Sequence, residues 1–364
     1  MSTLKVGALQ GISASSDAIT LANDGTCTAN ITNNLSNRRL TINGAMTIAQ
    51  RGTSSTSQGY QTVDRFHVNY SGTNEAPTQA QVDLSSSDTP YSLGFRKALK
   101  ITNGNQSGGA GSSDYIEIGH KIEAQDIANS GWNYTNTNSK ITLSFWVKSS
   151  VPQVFYGYMF NRDGTRTAYT FSTGSLSQNT WTKITKTIIG NSALQFDDNN
   201  EAGLEIYFTL FMGTDLTNNS RSLNSWKTFD ATEHTPDQTP TWYTTDDATF
   251  EITGVQLEVG SVATDFEHRS FAVEERLCQR YYFKETASNN TYMFGYGNTP
   301  QSYGLAQLSQ PTSFRAAPTI TITGSANASS VGASAQSPYY SIVYCNTSNA
   351  SAPRLTGYEM SAEL

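Results

Sequence analysis

The chain has 364 residues, of which only 15% are charged, and a formal net charge of −7. That length leaves room for two or three domains, each with a core of its own, and the shortage of charge leaves Asn, Thr, Ser, Gly and Tyr to cover the surface. The mild acidity argues against a nucleic-acid partner, because binding phosphates takes a basic face, and no window approaches the ~20 apolar residues that cross a bilayer.

Residues 1–10 have no basic start followed by an apolar core, so no secretory leader is expected. Cys27, Cys278 and Cys345 are odd in number and far apart. They form neither a CxxC pair nor a disulfide framework, and read as free thiols in a protein made in a reducing cytosol. Across residues 1–39 the apolar runs at 4–9 and 19–21 are split by Ser, Asn and Asp-Gly turns. Each run is too short to bury a face alone. The segment reads as an oligomerising or attachment segment, with a disordered leader as the alternative.

From Leu40 the pattern sharpens. Leu40, Ile42 and, past an Asn43-Gly44 turn, Met46 and Ile48 suggest a strand; Asp64, Phe66, Val68 and Tyr70 suggest another, with Arg65, His67 and Asn69 on its solvated side. His67, His120, His234 and His268 stand apart from one another, which gives no support to a metal site. Further strands are predicted at 98–102 and 115–118, with a short helix or turn at 122–128.

The cleanest alternation is at 140–148, where Ile141, Leu143, Phe145 and Val147 face a core while Trp146 and Lys148 face outward. Residues 204–212 behave likewise, with Leu204, Ile206, Phe208, Leu210 and Met212 inward and Glu205, Tyr207, Thr209 and Phe211 outward. Strands at 153–160, 167–172 and 180–189 lie between them. In 249–270, Phe250, Ile252, Val255, Leu257 and Val259 alternate but slip by one at Thr253-Gly254, which predicts a bulged last strand. Strands every 10 to 20 residues with almost no helical period predict an all-β, two-sheet antiparallel sandwich.

One segment, 213–245, is long, polar and nearly without strand signal, yet holds Trp226, Phe229, Trp242 and Tyr243. A helix follows at 271–284, capped by Ser270, with Val273, Leu277, Cys278, Tyr281 and Tyr282 as its apolar stripe. Strands at 292–296, 303–308, 319–323 and 339–344 then make a smaller C-terminal β-domain. The divisions are 1–39, 40–270 and 271–364.

Sugar binding by a sandwich needs aromatic faces for the C–H side of a pyranose and polar groups for its hydroxyls. Trp146, Tyr207 and Phe211, with Lys148 and Glu205 beside them, meet that need. If 213–245 folds over these rings, Trp242 and Tyr243, or C-terminal residues such as Tyr339 and Tyr340, take their place. Catalysis has no such constellation. Asp197, Asp198 and Glu201 in FDDNNE, and Asp246-Asp247, lie in turns where Asp and Asn bond their own backbone. FDDNNE also lacks the Gly and closing Glu of a calcium loop. No catalytic residues, metal or cofactor are expected.

The segments KITLSFWVKSS, TWTKITKTIIG, ITGVQLEVGSVATDFEHRS, EERLCQRYY and FRAAPTITI, with NGAMTIAQRGTS and TVDRF ahead of them, resemble virion proteins of tailed bacteriophages. The likeness is greatest to tail-fibre-like proteins, many from phages of aquatic bacteria, and runs from about residue 40 to about residue 324. Residues 1–39 also resemble fibre N-termini. The resemblance implies a jelly roll of the carbohydrate-binding-module kind for the large domain, and a homotrimer. It defines no shared set of ligand residues. A virion protein, made in the cytosol and released by lysis, also suits free thiols combined with a hydroxyl- and amide-covered surface. The expectation is a non-enzymatic trimeric tail fibre that docks on another virion protein through 1–39 and binds host-surface glycan. A head fibre or capsid-decoration protein without a receptor is the alternative, and a polysaccharide depolymerase a more distant one.

Overall fold

The computed structural model describes residues 6–12, 18–21, 23, 27–29, 38–285, 291–292, 303–347 and 353–364. At the N-terminus β1 (Ala8–Leu9), β2 (Ile19–Leu21) and β3 (Cys27–Ala29) form a small antiparallel meander. Its apolar residues Leu9, Ile12 and Leu21 remain exposed, as such short runs require.

The body is a jelly-roll sandwich. Its strands are β4 (Ser54–Ser55), β5 (Phe66–Ser71), β6 (Thr78–Asp83), β7 (Lys97–Thr102), β8 (Tyr115–Glu123), β9 (Lys140–Ser149), β10 (Val154–Asn161), β11 (Thr167–Ser175), β12 (Thr182–Ile189), β13 (Ala202–Met212), β14 (Trp226–Thr228) and β15 (Thr249–Val259). They pair antiparallel into two six-stranded sheets, β14-β11-β10-β13-β8-β5 and β12-β9-β15-β7-β6-β4, called here the front and back sheets. The chain crosses between sheets after β4, β5, β7, β8, β9, β11, β12 and β14. Two short helices, α1 (Thr89–Ser92) and α2 (Ala124–Ala128), sit in the connections.

The alternation predicted for β9 and β13 is what fills the sandwich. Ile141, Leu143, Phe145 and Val147 from the back sheet meet Leu204, Ile206, Phe208 and Leu210 from the front, all buried in one cluster. Each such side chain removed from water contributes roughly 1.5–3 kcal/mol. The bulge in β15 is present as well. Its pairing with β9 slips between Thr253 and Gln256, and Gly254 takes φ +64°, a left-handed conformation that suits glycine.

Three local expectations change. Residues 40–48 are not a strand: Leu40 bonds Leu257 once and the chain then turns, with the Asn43 amide holding the carbonyls of Ile48 and Asp64. In β13 the pairing with β8 slips between Thr209 and Phe211, which rotates Phe211 from the outer face into the core and Met212, expected inward, out onto the cluster of Tyr158, Phe160 and Tyr207. The helix α3 (Phe271–Gln279) is shorter than its periodicity suggested, because Tyr282 onward is drawn into a strand. Ser270 stands at its N-cap without a side-chain capping bond, and Glu274 and Cys278 form the buried face while Val273 is 50% exposed.

Past α3, β16 (Tyr282–Glu285), β17 (Thr291–Tyr292), β18 (Tyr303–Leu308), β19 (Thr319–Ala326), β20 (Ala328–Gln336), β21 (Ser341–Thr347) and β22 (Arg354–Ser361) form two smaller sheets. Leu308, Phe314, Val343, Tyr358 and Met360 are their shared core. Beyond Tyr292, the strand expected at 292–296 lies outside the described residues. Cys278 and Cys345 are free and buried. Among the described residues no helix is long and apolar enough to cross a membrane.

Candidate functional site

The outer face of the front sheet carries an unusual row. His67 of β5 pairs with Gly119 of β8, Gly119 with Tyr207 of β13, and Tyr207 with Tyr158 of β10, so four outward positions line up across four strands. Gly119 is what allows the row to close. A Cβ there would collide with the His67 ring and stand 2.8 Å from Tyr207 Cε1.

On the far side of Gly119 the rings stack. Tyr158 and Tyr207 have centroids 5.0 Å apart at 15°, and Phe160, two residues along β10, lies 6.1 Å from Tyr207 at 6°. Each tyrosine donates its hydroxyl to a different carboxylate: Tyr158 to Glu117 at 2.9 Å, and Tyr207 to Glu205 at 2.7 Å. Glu205 also faces Arg162 at 3.4 Å and Lys121 at 3.8 Å.

Segment 213–245 folds over part of this face. Phe229 packs on Phe160 with centroids 4.8 Å apart, and His234 on Tyr158 at the same distance. The segment is pinned by hydrogen bonds from Thr170 Oγ1 to the His234 carbonyl (2.8 Å), from Gln238 to Thr209 Oγ1 (3.0 Å) and from the buried Arg221 to the Ala168 carbonyl (3.2 Å). Between segment and sheet remains a cleft of about 290 Å³, lined by Tyr115, Glu117, Tyr158, Phe160, Tyr207, Glu205, Leu216, Phe229 and His234, with Arg162 and Arg166 also along it. Both arginines are exposed to solvent.

Burial sets the protonation of this site. The Glu117 carboxyl is pushed up to about 7 by desolvation, with the Glu205 charge adding and the hydrogen bonds from Tyr158 and Asn69 opposing. The His234 imidazole is lowered to about 4 by burial and the Arg221 charge. His67 falls to about 3 through burial and the charges of Lys121 and Arg65, and neither ring nitrogen has a hydrogen-bond partner. The Tyr60 hydroxyl, whose ring centroid lies 4.9 Å from that of His67, is also unpartnered. Chemically, the cleft offers ring edges, two carboxyl groups held by tyrosine hydroxyls and two guanidinium groups.

Of the residues singled out from sequence, Tyr207 and its neighbour Glu205 lie in the cleft. Trp146 and Lys148 do not, because β9 belongs to the back sheet. There Lys148 is spent on Glu251 at 3.1 Å and Asp88 at 3.6 Å, and lies over the Trp181 ring. Phe211, Trp242 and Tyr243 are core residues: Trp242 is 0% and Tyr243 1% exposed, with Phe211 stacked on Tyr243 at 4.4 Å. None of these three meets a ligand at the surface. His67, read as solvated, is buried under Tyr60 and against Tyr207. Tyr339 and Tyr340 are exposed, on a turn closed by the Ser337 hydroxyl. The FDDNNE carboxylates divide, Asp197 taking Gln195 and Asp198 taking Asn129. Among the described residues no group of His, Cys, Asp and Glu is placed to hold a metal.

Sequence reasoning missed Tyr158, Phe160, Glu117 and Arg162. The signal was available for the first three, since Tyr156, Tyr158 and Phe160 alternate along β10 and Glu117 sits between Ile116 and Ile118.

No family model matches the chain, and no curated protein matches it. Solved structures do. A putative sugar binding protein from Bacteroides thetaiotaomicron is 12% identical, covering 61% of this chain and 100% of that one, with a TM-score of 0.31. The N-terminal cellulose-binding domain of a Cellulomonas fimi β-1,4-glucanase is 11% identical over 60% of this chain and 100% of that one, with a TM-score of 0.28. A family 11 carbohydrate-binding module of a cellulosomal cellulase of Clostridium thermocellum is 10% identical over 58% and 96%, with a TM-score of 0.26.

Proposed function

We propose that this protein binds glycan in the front-sheet cleft without transforming it, as the distal part of a trimeric fibre on a tailed-phage particle. The observation that carries the binding reading is the cleft itself: an aromatic floor with carboxylates fixed by tyrosine hydroxyls, and guanidinium groups at its edge that reach solvent. A pyranose needs that combination, apolar edges for its C–H faces and charged donors and acceptors for its hydroxyls. The fibre half rests on the motifs at 140–150, 180–190, 252–270 and 274–282 and on the resemblance they carry. Residues 1–39 dock on another virion protein and bring three copies together, and three weak sites then act as one strong one.

A head-fibre or decoration role without a receptor is favoured by one observation: Tyr158, Phe160 and Tyr207 are only 4%, 5% and 7% exposed, so the floor is narrow. A glycan array separates the two readings. The protein is expected to mark a defined set of glycans, and the double substitution Arg162→Ala with Arg166→Ala to weaken that signal at least tenfold in a protein that still unfolds cooperatively. No glycan bound by the intact protein, or binding untouched by the substitutions, overturns the cleft as a receptor site. The fibre reading is tested by competition of free protein with phage adsorption.

A further inference from the structure

On the back sheet, the bulge at Gly254 leaves a hollow. A Cβ at this glycine would stand 2.8 Å from the Phe95 ring and 3.2 Å from Trp146 Cδ1. Without it, a pocket of about 220 Å³ opens on the outer face, with Trp146 of β9 among its lining residues. One wall is a three-ring cluster. Phe95, Phe266 and His268 have mutual centroid distances of 4.8, 5.0 and 4.9 Å, and His268 Nε2 is held by the Leu93 carbonyl at 2.9 Å.

Three polar groups here are uncommitted, in contrast to Lys148 two residues along β9 and to His268 and Thr264, which are held by Leu93 and Glu258. Lys183, which pairs across the strands with Trp146, is exposed, and Asp265 is exposed beside Phe266. Among the described residues neither side chain is in an ion pair, and the Trp146 indole N–H has no partner.

We infer that this hollow is a second saccharide pocket, for a single neutral pyranose unit, on the face opposite the cleft. The ring packs its C–H side on Trp146 and Phe266, and its hydroxyls meet the Lys183 ammonium, the Asp265 carboxylate and the indole N–H. The size argues for one ring and not a chain of them, since the pocket is smaller than sites that enclose larger ligands. The inference rests on the proposal that this protein meets glycans, but on a different set of residues.

Of the 5 tryptophans Trp146 alone lines this pocket and none lines the cleft, so the Trp146 indole N–H resonance reports this pocket and not the cleft. The full-length protein labelled with nitrogen-15 is titrated with the methyl glycosides of glucose, galactose, mannose and N-acetylglucosamine. The Trp146 indole signal is expected to move saturably with at least one of them, and Lys183→Ala to weaken that binding about threefold to tenfold, the worth of one hydrogen bond. Arg162→Ala, in the cleft, is expected to leave it unchanged. A Trp146 signal fixed with every glycoside overturns the pocket whatever the cleft does. A shift of full affinity in both Lys183→Ala and Asp265→Asn overturns the assignment of its polar contacts. If Trp146 responds while the glycan array is blank, the cleft proposal fails and the pocket stands.

Discussion

Arg65 and Glu363 lie 298 positions apart in the chain and form a buried ion pair. The guanidinium is fully buried, lies over the Tyr281 ring with Cζ 3.4 Å from its centroid and donates to the Lys121 carbonyl at 2.8 Å. Glu363 also accepts from Arg51 at 3.1 Å, its own carbonyl accepts from Arg315 at 2.9 Å, and the carbonyl of Leu364 accepts from Lys121 at 2.9 Å. Glu363 and Leu364 thus close over the Arg65 and Lys121 side chains. Removing one partner of a buried pair strands the other charge, at a cost of about 3–5 kcal/mol, whereas removing both is far milder. Glu363→Ala is expected to lower stability by that amount in urea unfolding, and Arg65→Met added to Glu363→Ala to restore much of it. Equal stability of Glu363→Ala and the wild type would show the contact to be idle.

A second coupling is steric. Gly119 has no room for a methyl group because the His67 ring fills the space beside it, and a strand backbone held on both edges cannot move away. Overpacking of this kind costs about 1–3 kcal/mol. Gly119→Ala alone is expected to destabilise by that amount and to disturb Tyr207. His67→Ala in the same chain is expected to cancel most of the loss, which a double-mutant cycle of unfolding midpoints measures. Additive losses would mean that the methyl group meets something other than the imidazole.

These two couplings also mark where sequence reading stops. The alternation of β9 and β13 could be read because a half-buried strand writes its two faces into every second residue. The slip at Gly254 could be read because a glycine stands there; the slip at Thr209 could not, and it sends Phe211 inward. Trp146 and Tyr207 are both outward residues, yet which sheet a strand joins is decided by pairing, not by its own pattern. The end of α3 is decided the same way, since Tyr281 and Tyr282 continue the helical period until β22 captures the backbone of Tyr282. Arg65 and His67 look solvated in sequence. They are buried because Tyr281 and Glu363, from far along the chain, cover Arg65 and the nearby Tyr60 covers His67.

Those buried groups give stability a pH dependence whose direction can be worked out. His67 and His234 are depressed to about 3 and about 4, and His120 well below the ordinary imidazole value, all chiefly by burial. The unfolded chain binds protons on them below about 6.5 and the folded protein does not, so their contribution is present above that pH and is lost as pH falls. Glu117 and Asp64 act oppositely. Their carboxyls are raised to about 7 and about 6 by burial, so their contribution is present at low pH and is lost as pH rises through those values. Between pH 5 and 6 three imidazoles outweigh two carboxyls by about one proton, a slope of about 1.4 kcal/mol per pH unit in favour of higher pH, and near pH 7 the two effects cancel. The thermal midpoint is expected to climb from pH 5 to about 7 and then level off. His67→Phe removes one imidazole and two unpartnered nitrogens, so it is expected to flatten the climb and raise the midpoint at pH 5. Glu117→Gln is expected to steepen it. A midpoint that falls from pH 5 to 7 in the wild type would place the protons on other groups.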